Sequence, residues 1–343
     1  MRQKVIVLFL ALIVAAAWFT GEVRQRWAEP LQIPEAGFTL VVGEGDSLSK
    51  AVDTLHSAGV LAYPRLVILY GRWTGLDQQI KRGEYLLPQN STARSVLSML
   101  HRGDVVQYQV TLPEGITLAA ALDILAGQEQ LQSELSSPDD PKILEMIRPE
   151  THPEGLFFPD TYRYARGDSD TSILQRAHTA MLSVLEEEWQ QREPSVVYES
   201  PYEALIMASI IERETGLPEE REQISGVFSR RLAKGMLLQT DPTVIYGLGS
   251  EFDGNLQRSH LKEEENLYNT YRIPGLPPTP IALPGRAAIR AALNPDTGTA
   301  LYFVARGDGG HVFSDTLNEH NRAVREYQLK RRENYRSSPE TSP

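Results

Sequence analysis

Two glutamates stand two residues apart in the stretch ASIIERETG, residues 208–216, at the end of an otherwise apolar helical pattern. At 100° per residue this helix is apolar on nearly all sides, and Glu214 and Glu212 fall on two different sides of it. Glu214 also lies in the last helical turn, where the helix dipole and apolar neighbours both raise the pKa of a carboxyl group. A glutamic acid that keeps its proton near neutral pH can act as a general acid, so Glu214 is the candidate catalytic residue.

A carboxylate near a helix end can instead pair with a cation. Four arginines in the same part of the sequence offer such an ion pair to Glu214: Arg213, Arg221, Arg230 and Arg231. Of the two glutamates, Glu212 is the better candidate for a structural role. Gly216 and Pro218 predict that the helix ends just past Thr215, because glycine and proline commonly follow helix ends. Thr215 places a hydroxyl directly after the candidate acid and is predicted to support it.

Composition limits the classes of protein that fit this chain. Its 343 residues carry 45 acidic and 34 basic side chains, for a formal net charge of −11. Binding to nucleic acid phosphates requires clustered lysines and arginines, so this balance argues against a nucleic-acid partner. There is no cysteine, which excludes disulfides and thiolate metal sites. A hydrophobic share of 41% is that of a folded globular protein.

The N-terminus carries Arg2 and Lys4 before an uninterrupted apolar run, Val5–Phe19. With the next two residues this run approaches the roughly 17–25 residues needed to span a bilayer, which predicts a transmembrane anchor over residues 1–21. A cleaved signal peptide is the alternative, since Ala15–Ala17 suits a small-residue cleavage site. In both cases the positive charges keep the N-terminus in the cytoplasm and send the rest of the chain across the membrane.

The elements after this segment predict an α+β fold. A charged, proline-containing linker covers residues 22–37. Residues 38–104 have the order strand, helix, helix, strand, which resembles the LysM-like modules of cell-wall proteins, although a generic α+β packing domain fits the same layout. Residues 105–150 predict a connecting strand and helix, and residues 151–332 a larger, mixed α+β catalytic domain. Residues 333–343 predict a disordered tail.

Within the larger domain, helical patterns cover residues 170–192, 201–215 and 219–234, so both glutamates lie on the second of these helices. Near the end of the chain, the segments ALYFVA and HVF flank RGDGG and predict a β-hairpin. Thr316 and Glu319 predict a capping box at the start of the last helix.

The segment MASIIERETGLPEEREQISGVFSRRLAKGMLLQTDPTVIYGLG, residues 207–249, resembles the signature of the endolytic murein transglycosylase family, the MltG or YceG-like proteins. The resemblance continues through EGLFFPDTY upstream and YNTY, GLPPTPIALPG, YFVARGDGGHVF and LNEHN downstream. Together with the LysM-like module and the anchor, it covers nearly the whole chain. In that family the catalytic acid is the glutamate directly before threonine in the E-x-E-T stretch, which is Glu214 here.

This resemblance implies a lytic transglycosylase that cleaves the bond between N-acetylmuramic acid and N-acetylglucosamine in peptidoglycan. Protonated Glu214 would donate its proton to the bridging oxygen as the bond breaks. Its carboxylate would then take the proton of the muramyl 6-hydroxyl, which closes a 1,6-anhydro ring. One carboxyl group suffices because this internal hydroxyl replaces water, and Glu212 lies on the wrong side of the helix to be a second partner. No cofactor is expected.

The family segments also contain candidate substrate contacts, which are Gln239, Thr240, Asp241, Tyr268, Asn269 and Tyr271. Gln239 is predicted to contact sugar amide or hydroxyl groups. Asp241 precedes Pro242 and either caps a new helix or supplies a second carboxylate through tertiary folding. The tyrosines and Asn269 offer stacking and hydrogen bonds to a sugar, with loop packing as the alternative role.

Two histidines raise the question of a metal site. His311 lies on a predicted strand and His320 on a predicted helix, nine residues apart, with neither a cysteine nor a closely spaced histidine beside them. Zinc sites usually draw on such closely spaced ligands. We therefore predict no metal.

The resemblance further implies peptidoglycan glycan strands as the substrate and work beside the peptidoglycan synthesis machinery, where cleavage would terminate glycan elongation. It implies a single-pass protein of the cell inner membrane with a periplasmic catalytic domain. Two alternatives stay open. A muramidase-type hydrolase would use Glu214 with a second carboxylate and release a reducing end. A membrane-anchored glycan-binding scaffold would use the LysM-like module, with Glu214 in a structural role.

Overall fold

The computed structural model describes Gly21 and residues 25–328. The chain divides into two compact units. Unit 1 comprises the residues up to 109 with two later segments, 129–132 and 163–168; unit 2 comprises the rest. The described residues form α-helices and three two-stranded sheets, which confirms the predicted mixed α+β class.

Unit 1 begins with a strand, two helices and a second strand, as its sequence pattern predicts. The elements are β1 (Phe38–Val42), α1 (Leu48–Ser57), α2 (Pro64–Thr74), β2 (Gly83–Leu87) and α3 (Ala93–Arg102). Strands β1 and β2 pair antiparallel, with Leu40 opposite Tyr85. Both of these residues are fully buried, because alternate side chains of each strand face the helices.

Local capping sets the helix boundaries in unit 1. Ser47 accepts a hydrogen bond from the backbone N–H of Lys50 and starts α1. Thr92 and Ser95 form a reciprocal capping box at the start of α3. Gly75 adopts a left-handed conformation directly after α2 and ends it.

The segment that enters unit 1 is fixed to it. Trp27 is buried, and its ring lies 4.3 Å from that of Tyr70 on α2. The backbone N–H of Leu31 donates to the carbonyl of Ser91 at 2.8 Å. Pro30 also forms an isolated bridge with Thr92. The chain is therefore held in unit 1 from Trp27 onward.

The helices α4–α11 and the remaining strands complete the described chain. They are β3 (Gln107–Thr111), α4 (Leu118–Ala126), α5 (Pro141–Met146), β4 (Thr161–Ala165), α6 (Asp170–Gln190), α7 (Pro201–Glu214), α8 (Arg221–Ala233), α9 (Asp241–Leu248), α10 (Arg286–Leu293), β5 (Tyr302–Ala305), β6 (His311–Ser314) and α11 (Leu317–Tyr327). Strand β3 pairs with β4, and β5 with β6 as the predicted hairpin. The predicted capping box of Thr316 and Glu319 starts α11.

Helix α7 is the central helix of unit 2. Every residue from 204 to 211 is buried, as expected for a helix whose sequence is apolar on nearly all sides. It packs against α6, α8, α9 and, most extensively, α10. The buried hydroxyl of Ser209 accepts a hydrogen bond from the backbone N–H of Ile281 at 3.0 Å. This bond connects the helix to the proline-rich loop, residues 275–285 (GLPPTPIALPG).

Helix α7 ends at Glu214, but the glycine cap predicted at Gly216 does not form. Thr215 follows the helix in an extended conformation, with φ −143° and ψ 138°. Gly216 does not adopt the left-handed conformation of a glycine cap. The chain therefore leaves the helix directly after the candidate acid.

One strand escaped the sequence analysis. Thr161–Ala165 begins within the aromatic stretch EGLFFPDTYRY and forms β4, in which Tyr162 and Tyr164 are buried and Thr161 and Arg163 are exposed. Between residues 128 and 150 the structure contains the short helix α5.

Within the described residues, no helix has the length and apolarity required to cross a membrane. Residues 1–20 of the predicted anchor, which include its apolar run Val5–Phe19, lie outside the described residues.

Candidate active site

Glu214 is the last residue of α7, and its carboxyl group lies beside Thr240 and Asp241 at the start of α9. The residue is half-buried, and desolvation raises the pKa of Glu214 to about 7. A hydrogen bond from Thr240 opposes this shift, and the nearby negative charge of Asp241 adds to it. The predicted upward direction of the pKa is therefore confirmed, with desolvation as the largest cause.

Thr240 connects the candidate acid to the start of α9. Its hydroxyl donates a hydrogen bond to Oε1 of Glu214 and makes no cap to its own helix, although Thr240 occupies the N-cap position. Its backbone N–H donates to Oγ1 of Thr270 at 3.1 Å. Thr243 Oγ1 donates to the backbone carbonyl of Thr240 at 2.8 Å. These three buried threonines fix the hydroxyl that faces the acid.

Gln239 precedes this cluster in an unusual backbone conformation. Its φ of 53° makes it the one non-glycine residue with positive φ among the described residues. The backbone N–H of Gln239 donates to the carbonyl of Thr270 at 3.1 Å. Nη1 of buried Arg231 donates to the carbonyl of Leu238 at 2.8 Å. The surrounding contacts therefore hold the loop in this conformation and leave the Gln239 side chain exposed.

Asp241 does not cap α9, contrary to one of the two roles considered for it, because the N-cap residue is Thr240. Instead, the hydroxyl of Tyr271 donates to Oδ1 of Asp241 at 2.6 Å. Burial and the charges of Asp241 and Glu214 raise the pKa of Tyr271 far above its ordinary value, which keeps its hydroxyl protonated as a donor. Asp241 is exposed and Tyr271 is half-buried beside the candidate acid.

The other two candidates of the YNTY segment, Tyr268 and Asn269, form their hydrogen bonds with other loop residues. Asn269 is fully buried, and its amide donates to the carbonyls of His260 and Glu263 at 3.2 and 2.7 Å. The hydroxyls of Tyr268 and Thr279 lie 2.8 Å apart. These side chains stabilise the loop that carries Tyr271.

Glu212, two residues before the acid, is held in a separate network. Arg221 Nη2 donates to its Oε1 at 3.3 Å, and the backbone N–H of Gly285 donates to its Oε2 at 2.9 Å. Desolvation raises the pKa of Glu212. Of the four arginines that offered an ion pair to Glu214, Arg221 thus pairs with Glu212, and no arginine of the described residues forms a salt bridge with Glu214.

Thr215 connects the end of α7 to the β-hairpin. Its Oγ1 accepts from the backbone N–H of Leu217 at 3.0 Å and donates to Oε2 of Glu220 at 3.3 Å. Glu220 is buried and also contacts His311, whose backbone N–H and Nδ1 each lie 2.7 Å from a Glu220 carboxyl oxygen. No local sequence signal marks the contact of Glu220 with His311, because the two residues are 91 positions apart.

A third carboxyl group with a raised pKa, that of Glu154, lies elsewhere in unit 2. Glu154 is buried; its Oε1 accepts from the backbone N–H of Leu118 at 2.9 Å and its Oε2 from the hydroxyl of Tyr246 at 3.3 Å. Desolvation raises the pKa of Glu154 to about 7. In the sequence, Glu154 is marked only as a single carboxylate close to the aromatic run LFF, and this pattern predicts no specific role.

Among the described residues, no group of three or more histidines, aspartates and glutamates could hold a metal ion. His311 contacts Glu220, as above, and the ring of His320 stacks on that of Tyr302 at 5.2 Å. The site therefore offers acid–base chemistry: one carboxyl group that titrates near neutral pH, flanked by Thr240, Asp241 and Tyr271.

Comparisons with known proteins identify the family of this chain. The sequence model of the YceG-like family matches residues 40–326. An endolytic murein transglycosylase of Bacillus subtilis is 29% identical over 341 residues, which cover 92% of this chain and 91% of that protein. Its namesake from Streptococcus pneumoniae is 26% identical over 93% of this chain, and the match spans 64% of that longer protein.

Structural comparison gives the same relationship. The crystal structure of a YceG-like protein from Listeria monocytogenes superposes with a TM-score of 0.55 and 28% sequence identity, over 84% of this chain and 99% of that chain. The matched region includes α7 and the segments that surround Glu214. This chain therefore belongs to the YceG-like family.

Proposed function

We propose that this protein is an endolytic murein transglycosylase in which Glu214 is the single general acid and base. The observation that carries the proposal is the environment of Glu214, whose pKa of about 7 leaves a large protonated fraction at neutral pH. The family relationship supplies the enzyme class, a lytic transglycosylase, and the substrate, peptidoglycan.

In the first step, protonated Glu214 donates its proton to the oxygen that bridges N-acetylmuramic acid and N-acetylglucosamine, and the bond breaks through an oxocarbenium-like state. In the second step, the carboxylate takes the proton of the muramyl 6-hydroxyl, whose oxygen attacks C1 and closes the 1,6-anhydro ring. Thr240 supports both steps, because its hydroxyl holds the Glu214 carboxyl group in one orientation.

Three accessible side chains beside the acid are proposed to contact the glycan: Gln239, Asp241 and Tyr271. The first two are exposed, and Tyr271 presents a half-buried ring on which a sugar can stack. The buried members of the predicted set, Thr240 and Asn269, then act by positioning the acid and the loop.

Mass spectrometry of muropeptides tests this function. The protein is incubated with intact sacculi or nascent glycan strands, alongside the variants Glu214→Gln and Glu212→Gln. We expect new 1,6-anhydro-muramyl ends from the wild-type protein and a loss of at least about 100-fold for Glu214→Gln, since that variant has no proton to donate. Glu212→Gln is the matched control, and it should keep the same products.

A hydrolase is the second candidate, because Asp241 lies near enough to Glu214 to influence its pKa. Products heavier by one water, with reducing ends, would identify that chemistry and assign Asp241 as the second carboxylate. Glycan binding without any cleavage would instead support the scaffold role.

The location and partners follow from the same proposal. The apolar run Val5–Phe19 would anchor the protein in the inner membrane, with the described residues in the periplasm. Unit 1 would act as a LysM-like glycan-binding module. Cleavage within nascent strands, beside the synthesis machinery, would then terminate glycan elongation.

A further inference from the structure

The outer side of α2 in unit 1 carries an unusual group of exposed apolar side chains. Trp73 is 82% exposed and Leu69, one helical turn before it, is 68% exposed. Tyr63, directly before the helix, is 39% exposed. Single exposed apolar residues are common on protein surfaces, but adjacent tryptophan and leucine side chains on one helix side mark an interaction surface. We call Tyr63, Leu69 and Trp73 the α2 patch.

Basic residues surround this patch. The guanidinium of Arg26 lies 4.3 Å above the ring of Tyr63. Arg65 and Arg72 are exposed on the same helix, and at 100° per residue both fall within one quarter turn of Leu69. Aromatic and leucine side chains flanked by arginine match the headgroup region of an anionic bilayer, where amphipathic rings and cations both find partners.

The path of the chain places this surface near the predicted anchor. Trp27 is fixed in unit 1, and its ring contacts Tyr70, whose ring in turn lies 6.2 Å from that of Trp73. Phe19, the last residue of the apolar run, precedes Trp27 by eight residues, a span of at most about 28 Å. An anchor in the bilayer therefore keeps the α2 side of unit 1 close to the lipid headgroups.

We propose that the α2 patch binds the surface of the anionic membrane in which the protein is anchored. Trp73 and Leu69 enter the boundary between headgroups and acyl chains, while Arg65 and Arg72 pair with lipid phosphates. Unit 1 is thereby held in one orientation on the bilayer. The inference rests on the membrane anchor of the proposed function and does not depend on its chemistry.

Site-specific fluorescence tests this inference, because the chain has no cysteine and one introduced thiol is labelled cleanly. Full-length Leu69→Cys is labelled with the environment-sensitive dye NBD and reconstituted into vesicles of phosphatidylethanolamine and phosphatidylglycerol. Leu86→Cys is the matched control, since Leu86 is also an exposed leucine of unit 1, at 54%, but lies on β2. Circular dichroism confirms that both variants are folded.

We expect NBD at position 69 to shift its emission to the blue and to be quenched by lipids that carry a doxyl group near the headgroup, with no response at position 86. Adding Trp73→Ser to the Leu69→Cys protein should remove most of this quenching. Replacing phosphatidylglycerol with phosphatidylcholine should weaken it, because the arginines lose their anionic partners.

Three results would overturn the inference. If the protein floats with the vesicles but the signals at positions 69 and 86 are equal, or position 69 gives no signal, the α2 patch does not bind lipid. The membrane anchor would still stand in that case. A response at position 69 to soluble glycan strands, without one to lipid, would assign the patch to glycan instead. A full-length protein that does not float with vesicles would reject the anchor and the inference together, and cleavage assays would still test the proposed chemistry separately.

Discussion

Thr240 donates its hydroxyl hydrogen bond to the carboxyl group of Glu214, although it occupies the N-cap position of its own helix. An N-cap threonine ordinarily satisfies a backbone N–H of its own first turn. Here that interaction is replaced by a contact between two helix ends, the C-terminus of α7 and the N-terminus of α9. The relationship fixes the orientation of the candidate acid and opposes the rise of its pKa.

The pH dependence of activity should follow the proton of Glu214. With its pKa at about 7, kcat/KM is expected to fall about tenfold per pH unit above that value, because the acid must begin protonated. Thr240→Val removes a hydrogen bond that stabilises the carboxylate, so the pKa of Glu214 should rise. The fall in kcat/KM should then occur at higher pH. Asp241→Asn removes a nearby negative charge and should move it to lower pH. Rate profiles of the three proteins check the prediction, and shifts in the same direction for both variants would contradict it.

The stability of the protein should also depend on Glu214. In the unfolded chain this glutamate titrates near 4.5, and in the folded chain near 7. Between these pH values the unfolded state binds fewer protons than the native state, so the free energy of unfolding falls as the pH rises. Glu214→Gln does not titrate and should be more stable than wild type by up to about 3 kcal/mol at pH 8, with no such advantage near pH 4.

Thermal unfolding measured by circular dichroism at the two pH values tests this second prediction. Glu154→Gln should also be more stable than wild type at pH 8 and not near pH 4, since burial raises the pKa of Glu154 to about 7 as well. An advantage of Glu214→Gln that is equal at pH 4 and pH 8 would show that the carboxyl group is not destabilised by its surroundings.

The contact of His311 with Glu220 should position the end of α7. Glu220 accepts from Thr215, the residue directly after Glu214, so loss of the His311 side chain is expected to loosen the acid. We expect His311→Ala to lower kcat by about 10- to 100-fold with little change in KM, since misplacement of a catalytic group by about 1 Å has effects of this size.

His320→Ala provides the matched control for His311→Ala. His320 stacks on Tyr302 in the same region and has no contact with Glu220 among those described. Its replacement should leave kcat within about twofold of wild type, as expected for a residue that does not hold the acid. Equal losses in the two variants would indicate a general packing defect instead of a positioning role.

Gly155 lies where the aromatic stretch approaches the proline-rich loop. Its φ is 81°, and a Cβ at this position would meet Cβ of Pro280 at 2.4 Å. Gly275 has the same φ of 81° with nothing within 4 Å. Gly275→Ala should therefore cost about 1 kcal/mol of unfolding free energy from backbone strain alone. Gly155→Ala should cost more, by roughly 1–3 kcal/mol, from overpacking. Denaturant unfolding of both variants separates the two effects, and equal losses would be evidence against the contact.

The sequence predicted α7 and the raised pKa of Glu214 because the necessary signals are local. An apolar run defines the helix, and the position of Glu214 within it predicts the direction of its pKa. The missed strand β4 had a local signal too, since Tyr162 and Tyr164 alternate with exposed residues. The concentration of aromatic residues and prolines around it obscured that alternation.

The partners of the acid could not be predicted in this way. Thr240 is 26 residues from Glu214 along the chain, and His311 is 91 residues from Glu220. Such contacts depend on how the helices pack, which no local periodicity specifies. The same reason explains why Asp241, a good cap by residue type, instead accepts from Tyr271, 30 residues away.

Unit 1 is assembled from three separate stretches of chain, the last of which is 163–168. That last stretch contributes an ion pair within the unit, as Arg166 Nε donates to Glu84 at 2.5 Å. A recombination event that transferred residues up to 109 alone would leave Glu84 without this partner. Residues up to 109 are therefore not the whole of unit 1, and the sequence that encodes α4 and α5 lies between its segments.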